Sequence, residues 1–431
     1  MKKHWTTALF FITVIFLIAS GCTSAKTTSI TDTTTRTQAP SNAAPTKPPV
    51  QTSKPNAIKT TPTPPATAII SPSENNLDEI TAIKTFPLQP TATPTLPPIP
   101  ITEITPKEEK LTYQTTVIKI DAVDIGSSIL HGSELFFTGR SAPSPSGIAN
   151  KLYVYNLETD NLDLIATSHH GDDGGICCIE VSDNWLGWSS YFSWGGGWRI
   201  YLQNRQTGET SIFAAEDDTN VKTGIAFASI SGDKLVWSKY RKQEDGKVHS
   251  SVLLYDLTSD QQRVLAEAAW PEMVTNANID GNWVVWTKEN IGKKSKSADI
   301  YLYDLTQDKL KRITTNGRSR QARIRGKYIA WREGFQDEGP IVIYNLATDK
   351  RYRLTARGYG VQLGDELLSW LNTDGKERIY DFRSNTVDIL VDSHAKYGFA
   401  TTITGRKALL ALRPESDQPE AKWSIEIRTY H

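Results

Sequence analysis

Cysteine is nearly absent from these 431 residues: three occur, at positions 22, 177 and 178, too few for a disulfide framework. An excess of either charge is also lacking. Lys plus Arg and Asp plus Glu each number 48, so the formal net charge is zero. No long-range field draws this chain to a polyanion, which excludes a dedicated nucleic-acid binder. Histidine is scarce at seven residues, and His4 and His431 sit at the chain ends, leaving few imidazoles for a metal centre. After the first twenty residues there is no long apolar run, and apolar residues almost never recur at helical spacing. Proline and tryptophan avoid each other. Sixteen of the 22 prolines lie between Cys22 and Pro106, whereas eleven of the 12 tryptophans lie between Trp185 and Trp423. One chain therefore holds two materials.

Residues 1–21 read as a secretory signal peptide, with Lys2 and Lys3 ahead of an apolar run from Ala8 to Ala19. The run is short for a membrane span. Its ending, Ala19-Ser20-Gly21-Cys22, resembles the lipobox of bacterial lipoproteins, with Ala19 where Leu is commonest. That resemblance implies cleavage before Cys22, diacylglycerol on its thiol and a further N-acyl chain. Two or three acyl chains anchor a protein to a bilayer, since each buried methylene contributes about 0.8 kcal/mol and one chain alone is marginal. No other cofactor is expected.

Residues 22–110 are dominated by Thr, Pro, Ser and Ala, as in Thr60-Thr61-Pro62-Thr63-Pro64-Pro65. Such a segment has no apolar face to bury and cannot offset the entropy of ordering, so a disordered tether is expected. Extended at about 3.1 Å per residue it would reach on the order of 250 Å, and as a loose coil roughly 50 Å. Thr-rich stretches of this kind are either bare or O-glycosylated.

From Leu111 to His431 short alternating apolar runs are cut by Gly, Asp and Asn, the pattern of an all-β domain. Repetition is the informative signal. One motif recurs as Gly232-Asp233-Lys234-Leu235-Val236-Trp237, Gly281-Asn282-Trp283-Val284-Val285-Trp286 and Gly326-Lys327-Tyr328-Ile329-Ala330-Trp331, with weaker copies ending at Phe137, Trp188, Trp370 and Leu410. Each reads as a tight turn feeding a strand. A second motif follows, as in Leu253-Leu254-Tyr255-Asp256-Leu257 and Ile300-Tyr301-Leu302-Tyr303-Asp304-Leu305, and a short third strand closes each unit, as in Lys311-Arg312-Ile313-Thr314. The positions 137, 188, 237, 286, 331, 370 and 410 recur at intervals of 39 to 51 residues. Four strands per unit at that period specify a β-propeller.

The count is seven blades, with six and a ragged end as the alternative. The last unit, from about Phe399, runs one strand short, and the strand-like segment Tyr113 to Ile120 has no unit of its own. Pairing the two closes the ring and removes a free sheet edge.

The succession Gly-Asp-x-Leu-Val-Trp, Ile-Tyr-Leu-Tyr-Asp-Leu and Lys-Arg-Ile-Thr resembles the TolB-type β-propeller repeat of exported bacterial and archaeal proteins, over residues from about 120 to 393. The resemblance implies fold and an extracytoplasmic site. Similar blades precede the hydrolase domain of prolyl-oligopeptidase-like enzymes, but a G-x-S-x-G elbow is missing and the last blade occupies the end of the chain.

Candidate site residues lie in loops. Ser168-His169-His170-Gly171-Asp172-Asp173 places two imidazoles and two carboxylates together, ligands suited to Zn or another divalent ion, although adjacent residues diverge and a solvated turn is the simpler expectation. Cys177 and Cys178 begin an inner strand, where neighbours point to opposite faces, so two buried free thiols are expected and a vicinal disulfide is the alternative. Inter-blade loops and the loops between second and third strands share one face of a propeller. On it fall His169, His170, Asp172, Asp173, the run Tyr191, Phe192, Trp194 and Trp198, and Arg241, Trp270, Lys293 and Lys294. Aromatic and cationic side chains together are typical of binding hot spots. Trp194 and Trp198 lie off the column of core tryptophans and are expected to be partly exposed. The reading that results is a membrane-anchored, non-catalytic recognition or scaffold module for a protein, peptide or glycan. The alternatives are a metal-dependent carbohydrate lyase or hydrolase, and an envelope-assembly lipoprotein.

Overall fold

The computed structural model describes residues 100–431 except 121–123, 141–147, 193–196, 217–227, 243–246, 293–295, 336–338, 393–401 and 414–421. The signal peptide, Cys22 and nearly all of the Thr/Pro-rich segment lie outside the described residues. Among the described residues, strands joined largely by tight turns assemble into seven four-stranded antiparallel arrays. Five are separate sheets. The other two are fused by one long strand, Lys350–Leu363, which closes the fifth array and opens the sixth without an intervening loop. The short interval of 39 residues between Trp331 and Trp370 reflects that fusion.

The blades begin with Asp124–His131, Gly174–Val181, Ala228–Ser231, Glu272–Asp280, Ser319–Arg325, the second half of Lys350–Leu363 and Thr402–Thr404. These innermost strands pack in cyclic order, and that of blade 7 returns to that of blade 1. The fold is a β-propeller. Seven hydrophobic clusters fill the spaces between successive blades. Trp286 illustrates the rule: it reaches from blade 4 to meet Val236, Val252 and Leu265 of blade 3 and stacks on Tyr301 of its own blade at 6.1 Å. Trp188, Trp237, Trp331 and Trp370 are buried at equivalent places.

Both repeated motifs are turn devices on one face. Gly132, Gly232, Gly281, Gly326 and Gly405 take φ between 53° and 60° in the first hairpin of their blades, a conformation glycine adopts without a Cβ penalty. In the second motif the Asp or Asn after Tyr accepts two backbone N–H bonds, as Asp256 Oδ1 does from Thr258 and Ser259. The tyrosine hydroxyl donates to an Asp or Asn five residues on: Tyr155 to Asp160 at 2.6 Å, Tyr380 to Asn385 at 2.9 Å, and likewise Tyr255 to Asp260, Tyr303 to Asp308 and Tyr344 to Asp349. All five acceptors have φ near 55°. Cations then tie these turns to the preceding blade, Arg263 to Asp308 and Lys311 to Asp349, each lying over the intervening tyrosine ring.

The ring closes as the sequence suggests. Tyr113–Lys119 pairs antiparallel with Ser424–Tyr430, from Tyr113 opposite Tyr430 to Lys119 opposite Ser424, making the outer strand of blade 7. Arg428 secures it: its guanidinium lies 4.9 Å from the centre of the Tyr113 ring and bonds Glu426 at 2.7 Å and the Leu390 carbonyl of blade 6 at 2.6 Å. The domain starts earlier than the expected boundary at 111. Ile101–Ile104 adds a parallel fifth strand to blade 5, opposite Arg351 to Leu354, and Lys107–Glu108 does the same on blade 6. Ile104 packs with the apolar cluster between blades 5 and 6, and Glu103 meets Arg353 at 2.8 Å. The boundary at 111 was drawn from composition, which passes over Ile101, Ile104 and Glu103, the residues that hold this segment to the sheet edges.

Deleting residues 113–119 is expected to destabilise the entire domain, because it leaves an unpaired edge in blade 7 and removes Ile118 from the core. Deleting 101–108 should lower the melting temperature far less. Calorimetry of both variants checks this, and equal effects would contradict the closing role of 113–119.

Candidate functional site

The connection from blade 1 to blade 2 forms a short 3-10 turn at Gly171–Asp173. His169 is exposed and His170 half-buried, with their rings 4.7 Å apart; the His170 ring lies 4.8 Å from Phe192, the last residue of the second strand of blade 2. Arg199 approaches His169 Nδ1 at 3.4 Å. Asn150 donates to Asp172 at 2.9 Å, and Asp173 is exposed. The structure thus joins His169, His170 and Phe192 into one rim and adds Arg199, which sequence reasoning passed over. Among the described residues no three His, Cys, Asp or Glu side chains converge as metal ligands.

Other expected members of this face behave differently. Trp198 is 6% exposed, so its expected partial exposure is corrected. It opens a strand, Trp198–Asn204, and shares one face with Ile200 and Leu202, directed at Trp237 of blade 3 at 5.9 Å. The alternation that makes it core runs on from the strand into what reads as a loop. Tyr191, directly opposite Trp198, is buried too, and Gly175 makes room for its ring: a Cβ there would come within 2.5 Å. Trp270 is half-buried, beside exposed Pro271. Trp194, Lys293 and Lys294 lie outside the described residues. Arg241 is placed by its backbone opposite His249, and its side chain is not described.

Cys177 and Cys178 form a vicinal disulfide, which corrects the expectation of two free thiols. Strand alternation fails there because the strand bulges. Cys178 has φ 62°, and the register against the neighbouring strand slips between Cys177 and Glu180. Asn276, Gln321 and Gly360 occupy the same bulge in blades 4, 5 and 6, also with positive φ.

After the bulge the innermost strands carry, at equivalent register positions, Ile129, Glu180, Ser229, Asn278, Arg323, Gln362 and Thr402. All stand two or three residues before the first-hairpin turn, and flanking residues such as Ile179, Ile279, Ile324, Leu363 and Ile403 are buried between blades. Hydrogen bonds knit neighbours here: Asn278 Nδ2 donates to Ser229 Oγ at 3.0 Å and its Oδ1 accepts the Ile324 N–H at 3.1 Å. Glu180 and Arg323 are the charged members. Burial within the ring pushes the Glu180 carboxyl up to about 7, against the pull of Arg323, the Ile230 amide and Arg325. Burial likewise pushes Arg323 below the usual arginine range, and Glu180 draws it back. Arg325, one level nearer the turn face, is shared by Asp280 at 3.3 Å and Asp365 at 3.2 Å. Sequence reasoning missed this pair. The signal was present, since aligning the repeats on the turn puts Glu180 and Arg323 in a column otherwise held by uncharged residues.

No family model matches this chain, and no curated protein does. Among solved structures it is similar to the β-propeller domain of the Trilobed protease from Pyrococcus furiosus, at 10% identity and a TM-score of 0.51, over 72% of this chain and 95% of that one. That domain is described as having an open velcro topology, whereas here the final blade is completed by the Tyr113–Lys119 strand. TolB from Acinetobacter baumannii matches at 15% identity and a TM-score of 0.37, over 55% of this chain and 58% of its own. An oligogalacturonate lyase in complex with manganese matches at 12% identity and 0.46, over 76% and 98%. What these similarities share is the propeller fold.

Two expected outcomes follow from the geometry. Trp198→Ala should behave as a core truncation, costing about 3–5 kcal/mol in a denaturation experiment. Glu180 binds its proton more tightly folded than unfolded, so its ionisation opposes folding: its contribution is most favourable below 4.5 and is lost as pH rises through about 7. The wild-type chain should therefore lose up to about 3 kcal/mol more stability than Glu180→Gln between pH 4.5 and 8. Parallel pH profiles for the two proteins would contradict this.

Proposed function

We propose that this chain is an extracytoplasmic lipoprotein of TolB-like architecture, in which Cys22 carries the lipid, the Thr/Pro-rich segment gives reach and the propeller is a non-catalytic recognition scaffold. The observation that carries the recognition role is the rim of His169, His170, Phe192 and Arg199, a group of aromatic and cationic side chains on the face of the inter-blade loops. The leading ligand is a protein or peptide. Rings and guanidinium groups desolvate well against such a partner, and a rigid ring holds them in place at little entropic cost. Lipid anchoring is supported by the Ala19-Ser20-Gly21-Cys22 sequence. Among the described residues no helix is long and apolar enough to cross a membrane.

Affinity capture of envelope proteins by the full chain tests the recognition role. The combined change of His170→Ala and Phe192→Ala should reduce capture at least tenfold with the melting temperature nearly unchanged, whereas capture of polysaccharide alone would replace the protein partner with a glycan. Cys22→Ala should abolish labelling by a lipid precursor and move the protein from the membrane to the soluble fraction. Unchanged fractionation would end the lipoprotein reading.

A further inference from the structure

Two blades carry an arginine at the same place on their outer strand, and a fifth strand answers one of them. On blade 5 the outer strand runs Lys350-Arg351-Tyr352-Arg353-Leu354-Thr355, and on blade 4 it runs Lys309-Leu310-Lys311-Arg312-Ile313-Thr314. Each follows the same Tyr-to-Asp turn, and Arg312 stands opposite Tyr301 as Arg353 stands opposite Val342. At that pairing blades 1, 2, 3 and 6 have Leu164, Ile212, Val264 and Ile389. The edge of blade 5 is occupied by Ile101–Ile104, whose Glu103 accepts from one terminal nitrogen of Arg353 at 2.8 Å, while the other nitrogen and Nε go to Glu333. Arg312 is held from within in a similar way, by Asp299 at 2.6 Å and the Thr314 carbonyl at 3.1 Å. Its second terminal nitrogen bonds nothing among the described residues, and among them no strand covers the edge of blade 4.

The sequence holds a second copy of the segment that covers blade 5. Ile101-Thr102-Glu103-Ile104-Thr105 is matched by Leu77-Asp78-Glu79-Ile80-Thr81, with the same order of aliphatic, polar, Glu, Ile and Thr. The copy lies outside the described residues. Set on blade 4 in the register of blade 5, it would put Glu79 opposite Arg312, Ile80 opposite Ile313 and Leu77 opposite Leu310. Where the edge differs, the copy differs with it: Thr102 stands opposite Tyr352, whereas Asp78 would stand opposite Lys311. Residues 73–86 contain no proline, so every backbone N–H that a ladder uses is present. Length permits the placement. Residues 105 and 106 alone link the strands on blades 5 and 6, and the whole of 81–100 is available between Ile80 and Ile101. The entropy of closing a loop grows only slowly with its length.

We propose that the outer edge of blade 4 is the docking site of this chain's own residues 77–81, added as a parallel fifth strand with Glu79 on Arg312. Main-chain hydrogen bonds to an open sheet edge give such a strand its affinity, and the charge pair and the aliphatic contact fix its register. The site belongs to blade 4 and the rim of His170 and Phe192 to blades 1 and 2, so the proposal does not rest on what that rim binds. Taken with the lipid anchor proposed above, it would leave residues 22–76 to set the reach of the propeller.

Cysteine pairs in the full chain test the register. With Asp78→Cys and Lys311→Cys, mild oxidation in the native state followed by peptide mapping should link the two positions within one chain. The yield should be at least tenfold above that of Asp78→Cys with Gln261→Cys, on the edge of blade 3. Adding Glu79→Lys, a change in the segment and not in the propeller, should lower the yield at least fivefold. The proposal is overturned if position 78 links no better to 311 than to 261, or if Glu79→Lys has no effect. A link between two chains also overturns it and assigns the edge to a second copy. Should a cysteine variant fail to fold, hydrogen exchange serves instead: Glu79→Lys alone should speed exchange at residues 310–313 at least tenfold and leave 351–354 unchanged. Unchanged exchange at 310–313, or an equal rise at 351–354, overturns the docking.

Discussion

Everything in this domain depends on ring closure between strands from opposite ends of the propeller. Each blade buries its faces only because a neighbour stands on either side, and a ring that failed to close would expose the inner faces of blades 7 and 1 together. The pairing of Tyr113–Lys119 with Ser424–Tyr430 prevents that. It brings Ile118 against Ile425 and Ile427 in the cluster between blades 7 and 1, while Tyr113 packs beside Tyr430 toward blade 6. One strand therefore contributes to both interfaces of its blade. The preceding residues 101–108 run along blades 6 and 5, so the chain leading to the closing strand is itself fixed to the sheet edges.

Closure also accounts for the tolerance of irregularity elsewhere. A repeated bulge in the inner strands breaks alternation at Cys178, Asn276, Gln321 and Gly360 without weakening the ring, because interblade hydrogen bonds use the freed groups. The Ala277 N–H is taken by Ser238 Oγ of the preceding blade and the Gln321 N–H by Thr287 Oγ1. The Ser or Thr that follows a column tryptophan is thus a connector between blades. A backbone N–H buried without a partner would otherwise cost about 1–3 kcal/mol.

Much of this was legible in the sequence. The period of the tryptophan column, the turn glycines and the Tyr-Asp pairs are local signals, and each maps to a local structure that repeats. The unpaired strand at Tyr113 was legible by elimination, since the last unit was one strand short. What escaped was set by departures from strict alternation. The pleat predicts opposite directions for Cys177 and Cys178, and a single left-handed residue overturns that. Trp198 looked like part of a glycine-rich loop, although its two-residue spacing to Ile200 and Leu202 marks it as core. Glu180 and Arg323 were hidden because each looks unremarkable within its own strand; that they share an equivalent position of the innermost strands appears only when the repeats are superposed.

The central claim, that the N-terminal strand completes the last blade in this register, is tested most directly by a cysteine cross-link. Gln114 and Thr429 are direct partners, and neither is fully buried. In the full chain carrying Gln114→Cys and Thr429→Cys, mild oxidation followed by peptide mapping should give a disulfide-linked peptide joining positions 114 and 429, in the native state and not after denaturation. A folded protein that yields no such peptide, or one that links position 114 to another blade, would contradict the account.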